Sequence, residues 1–228
     1  MKRAIPILAI VTAVLLSFAL YEALIGAPTE RTMGDVQRIF YYHVPSAWTA
    51  FLLFLINFVA SIVYLIRRNP KADILALVSA EVGVVFCTVV LVTGPIWARP
   101  VWGIWWAPGD IRLTTTLVLW LIYVSYLILR RYSTSGQTPV IAAVLAIFGA
   151  LDVPLVYFSI WFFRTQHPSP VIGGGGSLDP RMAHVLLINW AAFLCLALLV
   201  GWTRYQLEVV RREVEEAQAL ESLLEGSR

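Results

Sequence analysis

The chain has 228 residues, of which 59% are hydrophobic and 14% are charged, and its formal net charge is +3 at pH 7. Soluble domains carry roughly 45–50% apolar and about 25% charged residues, so this composition is typical of a membrane protein. The small positive excess forms no basic stripe on a soluble face, which excludes nucleic-acid binding.

Six apolar segments are long enough to cross a bilayer, since a transmembrane helix needs about 20 apolar residues. They cover about residues 4–25, 44–66, 74–92, 113–129, 140–163 and 182–202. The sequence therefore predicts an all-α polytopic protein with a six-helix membrane domain over residues 1–203. Lys2 and Arg3 precede the first segment as in a signal peptide, but its apolar stretch exceeds the roughly 7–15 residues of a signal core. We expect an uncleaved helix.

Basic residues near the helix ends predict the orientation. With the N-terminus inside, a dense set of basic residues flanks the helices on the cytoplasmic side: Lys2, Arg3, Arg67, Arg68, Lys71, Arg130, Arg131 and Arg204. The outer arginines are spread over longer stretches: Arg31, Arg38, Arg99, Arg112, Arg164 and Arg181. We expect both termini inside and three long extracytoplasmic loops, at residues 26–43, 93–112 and 164–181.

Residues 204–228 differ from the rest of the chain because they are rich in glutamate and arginine. Leu207, Val210, Val214 and Ala217 recur at helical spacing, which predicts an amphipathic cytoplasmic tail helix. Two interpretations stay open: a solvated extension of the sixth segment, or a docking surface for a cytoplasmic partner.

Aromatic and histidine residues concentrate on the predicted outer face. Of nine tryptophans, four fall in the second outer loop together with several prolines: Trp97, Trp102, Trp105 and Trp106. An interfacial belt would spread tryptophan over helix ends on both sides. The clustering favours a stiff aromatic platform. The three histidines, His43, His167 and His184, lie at or just beyond the outer boundary.

A platform flanked by histidines suits heme. Imidazole binds heme iron axially, and indoles pack on a porphyrin. Arg99 and Arg112 bracket the tryptophan loop and are candidates for pairing with the heme propionates. The sequence therefore predicts a heme site at the outer face.

Other polar features are weaker signals. Glu81 and Asp152 lie within apolar segments, where ionisable residues by default mark function. A neutral carboxyl, or a hydrogen bond through Asn57 or Asn189, is the open alternative. Cys87 and Cys195 form no C-x-x-C pair, which argues against a zinc or thiol-redox site. The glycine run at residues 173–176 lacks the lysine of a phosphate loop and predicts a hinge, not ATP hydrolysis.

Residues 34–48 (GDVQRIFYYHVPSAW) and 93–106 (TGPIWARPVWGIWW) closely resemble two motifs of the cytochrome c maturation protein C family, also called heme exporter protein C. Residues 110–114 (DIRLT) resemble the exit from its tryptophan-rich signature. Helix number and length also match, so the resemblance covers nearly the whole chain. The family usually reads W-G-x-W-W-x-W-D, whereas here Trp106 is followed by Ala-Pro-Gly before Asp110.

The resemblance implies a heme b site in which His43 and His167 are the axial iron ligands; His184 has no counterpart in the family. It implies that Trp102, Trp105 and Trp106 form the platform, with Asp110 at its exit. Trp97, Arg99 and Arg112 complete the predicted heme-binding set from their positions in and around the tryptophan loop. It also implies a non-enzymatic subunit of the bacterial inner membrane that presents heme to a periplasmic heme chaperone. The implied partners are the ATPase and membrane subunits of an ABC transporter complex and a small single-helix membrane protein.

Three other functions would fit a chain of this kind. A heme-b electron-transfer anchor usually places paired histidines deep in the bilayer, and no histidine lies deep here. A scaffold or transporter subunit with a merely interfacial tryptophan loop would bind no heme. A larger heme lyase would need a longer chain and further histidines within the membrane.

Overall fold

A computed structural model describes residues 4–163, 166–167 and 178–226. The helices are α1 (Ala4–Tyr21), α2 (Phe40–Arg67), α3 (Pro70–Trp102), α4 (Ile111–Tyr132), α5 (Thr138–Ala150), α6 (Asp152–Phe162) and α7 (Pro180–Gly226). A π-helical turn, Glu22–Gly26, extends α1, and a 3-10 turn, Asp35–Ile39, leads into α2. The glycine run at residues 173–176 and Arg164 lie outside the described residues.

The prediction of an all-α protein with six membrane-spanning helices is confirmed. Six helical stretches are long and apolar enough to cross a membrane, and α5 and α6 together form one of them, Thr138–Phe162. The predicted sixth segment and the predicted tail helix form the single helix α7.

The prediction that the second loop begins at residue 93 is wrong, because α3 continues through Pro95 and Pro100 to Trp102. Each proline removes one backbone hydrogen bond, but its fixed φ is compatible with a helix, and transmembrane helices tolerate proline. Gly103, with φ 78°, ends the helix and donates its N–H to the Arg99 carbonyl at 3.0 Å. Twelve of the twenty residues of the predicted loop, 93–102 and 111–112, are therefore helical, and residues 103–110 connect α3 to α4.

Helix α3 packs against α2, α4 and α7, and its contact with α2 is the most extensive among the described helices. A Cβ at Gly83 of α3 would lie 2.7 Å from the Phe54 ring of α2, so glycine permits this close approach. Phe54 in turn stacks on Tyr123 of α4, with ring centroids 3.9 Å apart and 13° between the planes. This packing positions the ends of the helices, where an ion-pair network around Asp73 and a cavity beside His43 lie.

Near the N-terminus of α3, a buried ion-pair network joins three helices. Asp73 accepts hydrogen bonds from Arg130 of α4 at 2.9 Å and from Arg212 of α7 at 2.8 Å. The side chains of Asp73 and Arg130 are only 5% and 8% exposed. The network attaches α7, beyond its apolar part, to the membrane domain.

The same network accounts for Glu81. The Arg204 guanidinium lies 2.8 Å from the Glu81 carboxylate and also donates to Glu208 at 3.0 Å. Glu208 is fully buried and accepts further bonds from Arg211 and Arg212. Glu81 is thus paired through an arginine rather than through an asparagine.

Candidate ligand-binding site

A cavity of about 510 Å³ lies at the opposite end of the bundle, between α2, α3, α4, α6 and α7. Its volume is within the range of roughly 300–1,000 Å³ found for small-molecule sites. The walls are mainly apolar and aromatic. Five residues that the sequence predicted for the site line this cavity: His43, Trp97, Trp106, Arg112 and His167.

His43 lies in the first turn of α2, and its Nδ1 is 2.8 Å from the Thr93 hydroxyl of α3. That hydroxyl donates its single hydrogen to the Val89 carbonyl at 2.7 Å. It can therefore only accept from His43, so His43 carries its proton on Nδ1. The lone pair is on Nε2, the nitrogen that can then bind a metal.

His167 is held in the same way by a carboxylate. Its Nδ1 lies 3.3 Å from Asp110 Oδ1 and 3.4 Å from Oδ2. Asp110 is 3% exposed and also accepts from the backbone N–H groups of Leu113, at 3.2 Å, and Gln166, at 2.9 Å. Through the bond from Leu113, the Asp110 side chain caps the N-terminus of α4.

The Asp110 carboxyl is ionised. Burial would raise its pKa, but the hydrogen bonds from His167 and Gln166 outweigh burial and lower the pKa to about 2. A carboxylate that accepts from histidine Nδ1 leaves the lone pair on Nε2, as in carboxylate–histidine–metal triads. Asp110, predicted as a heme-contacting residue, lies behind His167 and not in the cavity wall.

Each of these two histidines has a tryptophan beside it. Trp97 meets His43 edge-on, with ring centroids 5.9 Å apart and 71° between the planes. Trp102 meets His167 in the same manner, at 5.2 Å and 73°. The two indoles restrict the rotation of the imidazoles.

The two predicted arginines and Trp105 differ in their relation to the cavity. Arg112 lines it and donates to the carbonyls of Val156, at 3.3 Å, and Tyr157, at 2.9 Å, both in α6. Arg99 is exposed and hydrogen-bonds the Gly103 carbonyl at the end of α3. Trp105 is 60% exposed and does not line the cavity.

His184, the third histidine, is exposed on α7 and does not line the cavity either. The structure therefore separates His184 from His43 and His167, which line the same cavity.

Two further tryptophans line the cavity that the sequence analysis did not select. Trp48 and Trp190 pack edge-on, with centroids 5.2 Å apart. Trp48 lies five residues after His43, which is about 140° around a helix, so the spacing gave no signal that the two side chains share a cavity. Trp190 lies in an otherwise apolar stretch, so its sequence context gives no indication of a site.

Two indole N–H groups at this cavity have no hydrogen-bond partner among the described residues, those of Trp97 and Trp190. An unpaired buried donor costs about 1–3 kcal/mol. Both nitrogens are buried, so these donors do not open into the cavity. Thr93, which sets the His43 tautomer, was also missed because one threonine in an apolar run gives no signal.

The chain is similar to known proteins over most of its length. The family model described as heme exporter protein C matches residues 1–220. The heme exporter protein C of Bradyrhizobium diazoefficiens is 34% identical over 223 residues, covering 96% of this chain and 84% of that protein. The heme exporter protein C of Escherichia coli (strain K12) is 29% identical over 225 residues, covering 98% and 91%. A putative cytochrome c biosynthesis ccmC-like mitochondrial protein of Marchantia polymorpha is 30% identical over 183 residues, covering 80% and 78%.

Proposed function

The chain belongs to the heme exporter protein C family, and we propose that it binds heme in the cavity beside His43 and presents it to a periplasmic heme chaperone. The family gives the chain a role in heme handling for cytochrome c biogenesis, as a multi-pass membrane protein. The proposal adds to this role the residues that bind heme, the side of the membrane on which heme is bound, and the partner proteins.

The observation that carries the proposal is the matched pair of histidines. His43 and His167 line one cavity, and each has its Nδ1 hydrogen-bonded to an acceptor, Thr93 or Asp110. His43 and His167 would then hold a heme by offering Nε2 to its iron. When bound, the heme supplies the iron.

The rest of the cavity fits a heme. Its apolar and aromatic walls suit a porphyrin, and Trp97, Trp106 and Trp190 offer ring faces or edges. The Arg112 guanidinium, which lines the cavity, can donate to a propionate. No C-x-x-C-H motif for covalent heme attachment is present, which supports heme b as the form bound.

The chain's own residues bind and position heme, and we assign no catalysed step to it. Thr93 and Asp110 fix the imidazoles, and the apolar walls restrict the access of water. Trp105, on the connection at residues 103–110, is exposed near Trp106 and is suited to contact the chaperone.

The proposed setting follows the distribution of basic residues. They favour cytoplasmic termini and an extracytoplasmic heme site in the bacterial inner membrane. The proposed partners are the ATPase and membrane subunits of an ABC transporter complex, a small single-helix membrane protein and the chaperone.

The test is the absorption spectrum of the protein purified from heme-replete cells. Wild type should show a Soret band. His43→Ala and His167→Ala should each shift or abolish it, and His184→Ala, the matched control on the same face, should not. A wild-type protein without a Soret band would contradict heme binding and favour a scaffold or transporter subunit.

A heme-b electron-transfer anchor is the second candidate, and a kinetic measurement separates it from the first. Its heme would be reduced by added quinol within turnover time and would stay with the protein. A presenting protein should lose heme to purified chaperone instead.

A further inference from the structure

A second cavity, of about 710 Å³, lies between α2, α3 and α7 and is separate from the heme site. It is a groove with mainly aliphatic walls, including Leu53, Ile56, Leu75, Val78 and Leu198. None of its described lining residues is acidic. A groove of this kind requires an apolar occupant.

The length of the groove matches one leaflet of a bilayer. It runs from Lys71 to Val82 on α3 and from Leu194 to Tyr205 on α7. At a rise of about 1.5 Å per residue, each stretch spans about 16 Å. The hydrocarbon core of a bilayer is about 30 Å thick, so the groove is as long as a single leaflet's acyl region.

One end of the groove is polar and positive. Asn69 and Lys71 line that end, and the Asn69 side chain caps α3 by accepting from the Lys71 N–H at 2.9 Å. The helix N-terminus adds partial positive charge. Arg67 and Arg68, at the end of α2, are exposed beside it.

The same end has the aromatic residues of a membrane interface. Trp202 and Tyr205 line the groove on the α7 side, and such residues favour the depth of lipid headgroups. Positive charge and aromatic rings thus lie at one end of the aliphatic groove. The charged end suits a phospholipid headgroup, and the aliphatic walls suit an acyl chain.

We propose that this groove holds one anionic phospholipid from the leaflet on the Lys71 side. An acyl chain lies along α3 and α7, and the phosphate lies near Lys71. The bound lipid would join the turn between α2 and α3 to α7, close to the Asp73 network. This proposal is independent of heme binding.

Gly201 provides a way to close the groove. A Cβ at this position would meet its nearest atom, Val78 Cγ1, at 4.0 Å, so the backbone accepts a side chain there. Gly201→Leu should therefore fill the space that the acyl chain occupies. Ala191→Leu adds a similar side chain at an exposed position of α7 outside the groove and serves as its control.

The experiment reconstitutes the full chain in nanodiscs of mixed phosphatidylglycerol and phosphatidylethanolamine and measures retained lipid by native mass spectrometry. Lys71→Gln should lower retained phosphatidylglycerol about fivefold, since one basic residue near the surface contributes about 1 kcal/mol. Arg131→Gln, which removes an exposed charge at the same end of the bundle, should leave it unchanged. Gly201→Leu should lower both lipids, and Ala191→Leu should lower neither.

Three outcomes would overturn the proposal. Retention that is unchanged in Lys71→Gln removes the selection for an anionic headgroup. Retention that is unchanged in Gly201→Leu removes the groove as the site. A photo-crosslinking residue at Leu198 that captures a protein in native membranes, instead of lipid, assigns the groove to a partner's helix. The Soret band, recorded in parallel, shows whether the heme site is intact in each variant.

Discussion

The two ends of the bundle treat their polar groups in opposite ways. At the Asp73 end, buried carboxylates and guanidinium groups of three helices pair with one another. At the His43 end, polar groups surround an apolar cavity, and the indole N–H groups of Trp97 and Trp190 lack partners in the described part of the chain. Internal pairing suits a structural role, whereas histidines and an arginine around an apolar cavity suit a ligand.

The largest effect should come from breaking the paired end. Asp73→Asn keeps the side chain's shape but leaves Arg130 without its carboxylate and Arg212 with Glu208 alone. Removal of one member of a buried ion pair costs about 3–5 kcal/mol. We expect an unfolding free energy lower by that amount, measured by titration with sodium dodecyl sulfate in mixed micelles.

The control for this variant is Asp179→Asn, which changes an exposed pair with Arg181 at the other end. It should cost less than about 1 kcal/mol. Equal losses in the two variants would mean that the Asp73 network is hydrated and has no special structural role.

The next effect should appear in heme affinity. Asp110→Asn removes the charge that orients His167, while asparagine remains a good cap for α4. Loss of such an outer-shell partner typically lowers metal affinity about 10–100-fold. We expect heme titration to show this loss, because the asparagine oxygen keeps the bond from Leu113 while the NH2 group in place of Oδ2 no longer accepts from Gln166 or His167.

Asp35→Asn removes an exposed carboxylate at the same end, 3.0 Å from Arg38, and should leave heme affinity at the wild-type level. If Asp110→Asn also binds heme normally, His167 is not a ligand that Asp110 positions, and the site is less ordered than its contacts suggest.

A smaller effect should come from Thr93→Val, which removes the acceptor for His43 Nδ1 without changing the side chain's shape. A hydrogen bond contributes about 0.5–1.5 kcal/mol, so affinity should fall about tenfold at most. Thr93→Ser should restore it. Thr115→Val, which loses a hydroxyl bonded to the Ile111 carbonyl of its own helix, is the control. An unchanged Thr93→Val protein would refute the tautomer assigned to His43.

The sequence predicted the helix count because twenty-residue apolar runs have few alternatives in a bilayer. The resemblance to the family also selected His43 and His167 rather than His184, because His167 matches the place of the family's second ligand histidine, and these two line one cavity. The sequence could not predict that α3 continues through Pro95 and Pro100, because proline ends most helices in water. Nor could it predict that Glu81 pairs with Arg204, since these residues are far apart in the chain and meet only through packing.

The smallest effect on the free energy of unfolding should come from Glu215→Gln, which tests whether burial or location at the Asp73 end makes an ion pair stabilising. Glu215 lies at the paired end, on the same helix as Glu208, and its carboxylate is 3.5 Å from Arg211. Both partners are half exposed, at 58% and 52%, and Arg211 keeps its 2.6 Å bond to Glu208 when Glu215 is changed. Glu215→Gln should therefore cost about 0.3–0.5 kcal/mol in the same titration, as exposed helix pairs do. A loss as large as that of Asp73→Asn would show that the whole charged helix, and not its buried contacts, stabilises this end, and the contrast between the two ends would then be one of charge density instead of pairing.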